Sequence, residues 1–294
     1  MKIEFSAPSK TFMAGEYIAL EGYPALILNT EPRFKLIVDQ TKPYPISSIY
    51  PESPAGKLIH DHQSLLAHMS LEFRDPHQGK GGFGASSAQF LMVYALLQHL
   101  KKKPLEHEHC SELLTCYQSY AWNGVGLKPS GADLISQWFG KVTLFNHQEK
   151  QIQAHDWPFE NITFCLLHTG QKLPTHNHLK QLKQIPTQAL LPWMQKIQES
   201  FLQKDAFQFI LGIQGYGDTL QKETLVAETT LPLLRLLQQH EAVLASKGCG
   251  ALGADVILVL LPNLALPSFR RWLTRRGLSV IATANNLSHG LKIV

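Results

Sequence analysis

Residues Gly79 to Ala88 read Gly-Lys-Gly-Gly-Phe-Gly-Ala-Ser-Ser-Ala and run directly into the apolar helical pattern Phe90, Leu91, Val93, Tyr94, Leu96, Leu97 and Leu100. Glycines let a backbone come close to an anion and take positive φ, and the first N–H groups of a helix lack intrahelical partners. Such a junction can cradle phosphate. Gly82, Phe83, Gly84, Ala85, Ser86 and Ser87 are its phosphate-binding candidates, and the hydroxyls of Ser86 and Ser87 stand where a nucleotide-bound Mg²⁺ could be met. The pattern is not a P-loop, because no Gly-Lys-Ser/Thr follows at the required distance. Nor does an acidic strand end follow, as a dinucleotide site requires.

The elements around this turn must hold it. In the first half, Lys2–Phe5, Lys10–Tyr17, Ala25–Asn29 and Phe34–Asp39 alternate as strands, followed by a helical stretch near residues 57–72. Helices at 86–102 and 105–122 and a strand at 141–146 come next. The polar segment 148–159 reads as a crossover between domains. The second half reads as strand 162–168, helices through 179–204 and 205–216, an amphipathic helix 231–245, a glycine-rich turn from Lys247 to Asp255, strand 256–261, helix 268–276 and strand 278–283. This is an α+β pattern, with a mixed sheet and helices first, then helices on one face of a small antiparallel sheet. A cut at 157/158 separates the expected domains, residues 1–157 and 158–294.

Composition narrows the function classes. A chain of 294 residues with 44% hydrophobic and 17% charged residues can bury sizeable cores in two domains. The start Met-Lys-Ile-Glu-Phe is not a signal peptide and no apolar run is long enough to span a bilayer, so the expectation is a cytoplasmic protein without a membrane partner. Cys110, Cys116, Cys165 and Cys249 lack metal or disulfide spacing. His107-Glu108-His109-Cys110 gathers ligand-type residues, but on a helical pattern that points them in different directions. A net charge of +4 gathers in Lys101-Lys102-Lys103 and in Arg270, Arg271, Arg275 and Arg276. The lysines close a helix before Pro104 and no interleaved exposed aromatics beside the arginines suggest base stacking, so small anionic substrates fit better than nucleic acid.

Five landmarks stand in order: Lys10 with Gly15-Glu16-Tyr17; Gly82 to Ser87; Pro129-Ser130-Gly131-Ala132-Asp133; Thr169-Gly170 with Thr175; and Lys247 to Asp255. Their order and spacing resemble the GHMP kinases, the superfamily of galactose, homoserine, mevalonate and phosphomevalonate kinases, over nearly the whole chain. The resemblance implies a two-domain fold, with an N-terminal mixed sheet like ribosomal protein S5 domain 2 and a C-terminal ferredoxin-like domain. It implies ATP and Mg²⁺ as cofactors, a small-molecule acceptor as partner, and a monomer or homodimer. Pro-Ser-Gly-x-Asp is similar to mevalonate kinases, while Gly-Glu-Tyr and the Asp255 ending are similar to phosphomevalonate kinases. A catalytically silent nucleotide-binding homologue and a kinase for another hydroxylated acceptor are the alternatives.

Phosphoryl transfer to a hydroxyl needs charge neutralisation on the γ-phosphate and a group that orients or deprotonates the nucleophile. Asp133 is read as that carboxylate, Lys10 as its cationic partner, and Ser86 as the metal ligand. Glu16, Lys128, Ser130, Gly131, Gly250 and Ala251 are the substrate-side candidates, with Lys172 a further cation for a phosphorylated acceptor. Each has a structural alternative: Asp133 can begin a helix, Ser86 can cap one, Lys10 can be a surface lysine and Glu16 can brace a turn. Two departures from the family pattern are expected to matter. Leu252 and Ala254 intrude in the third glycine-rich motif, and Trp122 stands where mevalonate kinases tend to place a second metal carboxylate.

Overall fold

The computed structural model describes residues 2–41, 46–170 and 185–294. Two long antiparallel strands set the frame, β1 (Lys2–Ala14) and β2 (Ala25–Asp39). Each absorbs two of the short strands expected from sequence. Their register slips where Pro8 faces Glu31 to Arg33, because Pro8 and Pro32 have no N–H to give a ladder, and slips again between Phe12 and Ala14. One edge of β2 pairs with β1 throughout. Its other edge is shared by β4 (Ser70–Arg74) and β5 (Val142–Asn146). Two-residue β3 (Ile46–Ser47) pairs with β4, and β6 (Gln151–His155) pairs with β5.

Helices α1 (Pro54–Asp61) and α2 (Gln63–Leu66) precede β4. The expected single helix at 57–72 is therefore two short helices and a strand: Ser53 caps α1 by accepting the Gly56 N–H at 3.1 Å, Pro54 fixes its first turn, and the Leu71/Phe73 alternation buries one face of β4. The segment at 148–159 likewise contains strand β6 rather than a plain crossover. Helix α3 (Ala85–Leu100) is buried along almost every side from Phe90 to Leu97, which is why its sequence is apolar all round. It packs with α4 (Cys110–Ala121), α5 (Ala132–Phe139) and α1 against the sheet.

The second sheet holds, in spatial order, β10 (Val280–Thr283), β7 (Ile162–His168), β9 (Val256–Pro262) and β8 (Ala245–Cys249), all antiparallel. Helices α6 (Thr187–Gln203), α7 (Ala206–Lys222), α8 (Leu231–Gln238) and α9 (Leu266–Thr274) accompany it. Two expectations are corrected here. The helix expected to reach Ala245 stops at Gln238, and Ala245–Cys249 is a strand, so the third glycine-rich turn begins only at Gly250. Among the described residues no helix is long and apolar enough to cross a membrane, and no group of three His, Cys, Asp or Glu could hold a metal.

The first sheet takes its strands from residues 2–155 and again from β11 (Lys292–Ile293), which pairs with β1. A single cut at 157/158 leaves this return out. Arg33 fastens it: from the bulged part of β2 its guanidinium donates to Ser6 Oγ and O, Ser288 Oγ, and the carbonyls of His289 and Gly290 at 2.6–3.1 Å. Replacing a charged donor that serves several acceptors leaves those acceptors unpaired, so Arg33→Met is expected to cost about 2–3 kcal/mol. Urea unfolding measures it, and an unchanged midpoint would show that Arg33 does not anchor the tail.

Candidate active site

The phosphate loop is stiffened from every side. The Asp75 carboxylate accepts the N–H groups of His77 and Gly79, each at 2.8 Å, and so closes the turn leading into it. Phe83 is buried between two imidazoles, His77 with its ring centroid 3.9 Å away and His168 at 5.9 Å. The Phe83 carbonyl accepts the Lys10 N–H at 2.9 Å, which welds the loop to β1. Gly84 then caps α3 in the left-handed region (φ 83°), and a Cβ there would lie 2.5 Å from Lys10 Cγ. Only glycine meets both conditions. From the second sheet, the Asp255 carboxylate lies against the loop: a Cβ on Gly81 would be 2.7 Å from its Oδ2.

The two serines at the start of α3 separate. Ser87 is buried and donates to the Gly84 carbonyl at 3.0 Å, a bond within the first turn that satisfies none of the helix's free N–H groups. Ser86 is exposed and lines the cleft. Gln137 of α5 donates both to the Pro8 carbonyl at 2.8 Å and to Gly84 at 3.2 Å, tying the α3 start to the bulge of β1 and to α5.

Gly131, left-handed at φ 70°, starts α5 and places Asp133 in its first turn; a Cβ at Gly131 would strike Leu114 Cδ1 at 2.2 Å. Ser130 Oγ accepts the Ala132 N–H at 3.3 Å, and Asp133 Oδ1 accepts the Leu134 N–H at 3.0 Å. A carboxylate at the positive end of a helix is electrostatically well placed. Ser86, read as a possible cap, gives α3 no side-chain capping bond, while Asp133 both begins a helix and faces a cavity.

One cleft of about 2260 Å³ joins these groups, lined by Lys10, the loop from Gly79 to Ser87, Ser130, Gly131, Asp133, Glu16, Gly250 and Asp255. Lys10 and Asp133 share it without an ion pair to each other among the described residues; the Lys10 ammonium lies 4.9 Å from the centre of the Phe12 ring. The direct partnership expected from sequence is therefore not formed, and an anion between the two would meet both. Lys128 is exposed, 5.9 Å from the Trp122 ring, and is not among the lining residues. Trp122 lines the wall in place of a metal carboxylate. Lys172 and Thr175 lie outside the described residues, and Ala251 is described by its backbone alone.

Glu16 faces the cleft but is engaged: its Oε1 is 2.7 Å from the ammonium of Lys247. Leu252 adopts a left-handed conformation (φ 54°), which costs a non-glycine residue about 1–2 kcal/mol. The backbone around it is well bonded, since its N–H goes to Tyr17 Oη at 2.9 Å and its carbonyl accepts the Ala227 N–H at 2.7 Å. Ala254 is buried. The intruding side chains are accommodated by strain rather than by loss of the turn. Gln137 and His77 escape the sequence reading because they act on Pro8 and Gly84 and on Ser9, far away in sequence, whereas Asp75 acts locally, on N–H groups two and four residues on, in the turn chemistry that Asp75-Pro76 hints at.

No protein-family model matches the sequence, and no curated protein matches it. Solved structures do match. The phosphomevalonate kinase of Streptococcus pneumoniae superimposes with a TM-score of 0.77 at 17% identity, covering 96% of this chain and 99% of that one. The mevalonate kinase of Methanococcus jannaschii gives 0.73 at 12% identity over 98% of both chains. The galactokinase of Lactococcus lactis, complexed with galactose, gives 0.75 at 10% identity, covering 99% of this chain and 95% of that one. The chain has the GHMP kinase fold.

His77 offers a check on the loop's packing. Burial pulls its imidazole down from 6.5 to about 4, so the native state keeps it neutral while its Nε2 meets Ser9 Oγ at 2.6 Å. Below pH 6.5 the unfolded chain takes a proton that the native state refuses. Stability is therefore lost as pH falls from 6.5 towards 4, by ~2–3 kcal/mol from this group. Urea unfolding of the wild type and His77→Phe at neutral and mildly acidic pH is expected to show less acid sensitivity in the variant; equal sensitivity would place His77 in solvent.

Proposed function

We propose that the protein is an ATP-dependent phosphotransferase that moves the γ-phosphoryl group of ATP to the hydroxyl of a small acceptor, mevalonate or 5-phosphomevalonate. The observation that carries this reading is the convergence of two helix N-termini on one cleft: α3 with its glycine loop, and α5 with Asp133, with Lys10 between them on β1. The S. pneumoniae phosphomevalonate kinase structure in complex with phosphomevalonate and AMPPNP, at TM-score 0.74 and 17% identity, supports both the nucleotide and the acceptor class.

In this reading the N–H groups at the start of α3 bind the nucleotide phosphates, and the glycine loop shapes their bed. Asp133 orients the acceptor hydroxyl and receives its proton as the oxygen attacks the γ-phosphorus and the bond to the ADP leaving oxygen breaks. Lys10 stabilises the transferring charge. The exposed Ser86 hydroxyl, an oxygen donor on the cleft wall, fits Mg²⁺, which takes a few protein oxygens and completes its shell with phosphate and water. Bound there, Mg²⁺ would neutralise charge on the nucleotide phosphates.

Lys57 and Lys80 also line the cleft and give it cations beyond Lys10 for an anionic acceptor. The protein acts on small molecules and ATP in the cytoplasm, as a monomer or homodimer. A catalytically silent nucleotide-binding homologue is the second reading, favoured by the left-handed Leu252 in the third loop.

Coupled ADP release with purified protein, Mg-ATP and mevalonate, 5-phosphomevalonate, diphosphomevalonate, homoserine and galactose separates these readings. Fast turnover on one of the first two is expected. Binding of ATP with silence on all five acceptors would favour the second reading. Asp133→Asn is expected to lower kcat by roughly a thousandfold while Mg-AMPPNP binding persists. Near-normal turnover would remove Asp133 from the chemistry.

A further inference from the structure

Lys247 is a charged side chain with no exposed surface, on the edge strand β8 of the second sheet. Burying an ammonium is costly unless it is paired and enclosed by compensating groups. Its Nζ lies 2.7 Å from Glu16 Oε1, 3.7 Å from Cys249 Sγ and 5.7 Å from the centre of the Tyr216 ring. Helix α7 makes room for it through Gly217, where a Cβ would come within 2.9 Å of Lys247 Cβ. Glu16 is nearly as enclosed, at 4% side-chain exposure, and its second oxygen, Oε2, has no hydrogen-bond partner. Burial pushes the Glu16 carboxyl above its ordinary value, and the neighbouring ammonium opposes that push.

The pair does not act alone. Tyr17, the residue after Glu16, accepts the Leu252 N–H on its hydroxyl oxygen. Two consecutive residues just beyond β1 thus hold both ends of the segment 247–252. That segment presents Gly250 to the cleft and runs on to Asp255, whose carboxylate lies against Gly81 of the phosphate loop. A continuous line of contacts leads from β1 through the third loop to the phosphate loop.

We propose that Glu16 and Lys247 are positioning residues, a buried ionic latch between the two sheets that fixes the third loop and, through Asp255, holds the phosphate loop in its nucleotide-binding shape. The proposal rests on the kinase reading above. It differs from simple stabilisation in what it demands of a double replacement. Removing one member of a buried pair strands the other charge and destabilises the fold, whereas replacing both with neutral groups of similar volume commonly restores stability. A latch that positions a loop is not restored by that exchange, because the loop is no longer held at the same point.

The test compares wild type, Lys247→Met, Glu16→Gln and the double variant by thermal unfolding and by calorimetric titration with Mg-AMPPNP, which needs no knowledge of the acceptor. Both single variants are expected to melt earlier. The double variant is expected to regain most of the lost Tm yet bind Mg-AMPPNP roughly tenfold or more weakly, the scale of loss that small misplacements in a binding site produce. A double variant with wild-type Tm and wild-type affinity would overturn the proposal. Tyr17→Phe, which removes the hydroxyl that accepts the Leu252 N–H at the other end of the segment and donates weakly to the Leu225 carbonyl, gives an independent reading. Several-fold weaker nucleotide binding is expected there, and unchanged affinity would count against the latch. Failure of the wild-type protein itself to bind Mg-AMPPNP would overturn the kinase reading and this proposal with it, an outcome distinct from a variant series that binds normally.

Discussion

One backbone hydrogen bond organises the site: the N–H of Lys10 to the carbonyl of Phe83, at 2.9 Å. It fixes the phosphate loop to the middle of β1 and, in the same stroke, sets where the Lys10 side chain leaves the strand. Everything nearby conforms to it. Gly84 must be left-handed and side-chain-free because Lys10 passes directly beneath it, and α3 therefore starts where its free N–H groups open into the cleft. The bulge at Pro8 frees a carbonyl on β1 for Gln137, which brings α5 and so Asp133 to the same place. Glycine loop, cation and carboxylate are thus placed by main-chain geometry, and Lys10 and Asp133 line the same cleft without an ion pair to each other among the described residues.

That origin also accounts for what a reader of the sequence can and cannot see. The glycine loop running into an apolar helix and the Pro-Ser-Gly-x-Asp turn are local patterns, and both lie at helix N-termini that line one cleft. The helical reading of residues 57–72 fails at its end because Leu58, Ile59, Leu66 and Leu71 fit a helical spacing well enough, and only pairing with β2, set by residues far away, turns residues 70–74 into a strand. Lys247 is the sharper lesson. A lysine among glycines reads as part of a solvent-facing turn, yet it sits on a strand with its charge enclosed, and the partner that makes this tolerable is 231 residues away in sequence. His77 is invisible for the same reason, since its Nε2 meets Ser9, 68 residues away.

Low identity to structures with the same fold follows from the kind of constraint involved. Positive φ at a few glycines, free N–H groups at two helix ends and bulges at prolines can be met by many side-chain sets, so 10–17% identity is enough to keep the architecture. The lining of this chain's cleft includes Trp122, the third loop beside it carries a left-handed Leu252, and the rings of His77 and His168 both stack near Phe83.

The return of β11 to β1 ties the molecule together in time as well as in space. A ribosome delivers β1 among the first residues of this chain and β11 only after the whole second sheet has been made. Until then the outer edge of β1 stands with unpaired N–H and C=O groups near Phe5 and Ser6, the kind of edge that recruits stray strands. The pairing of the first sheet is therefore completed only once β11 has been made, after the strands of the second sheet.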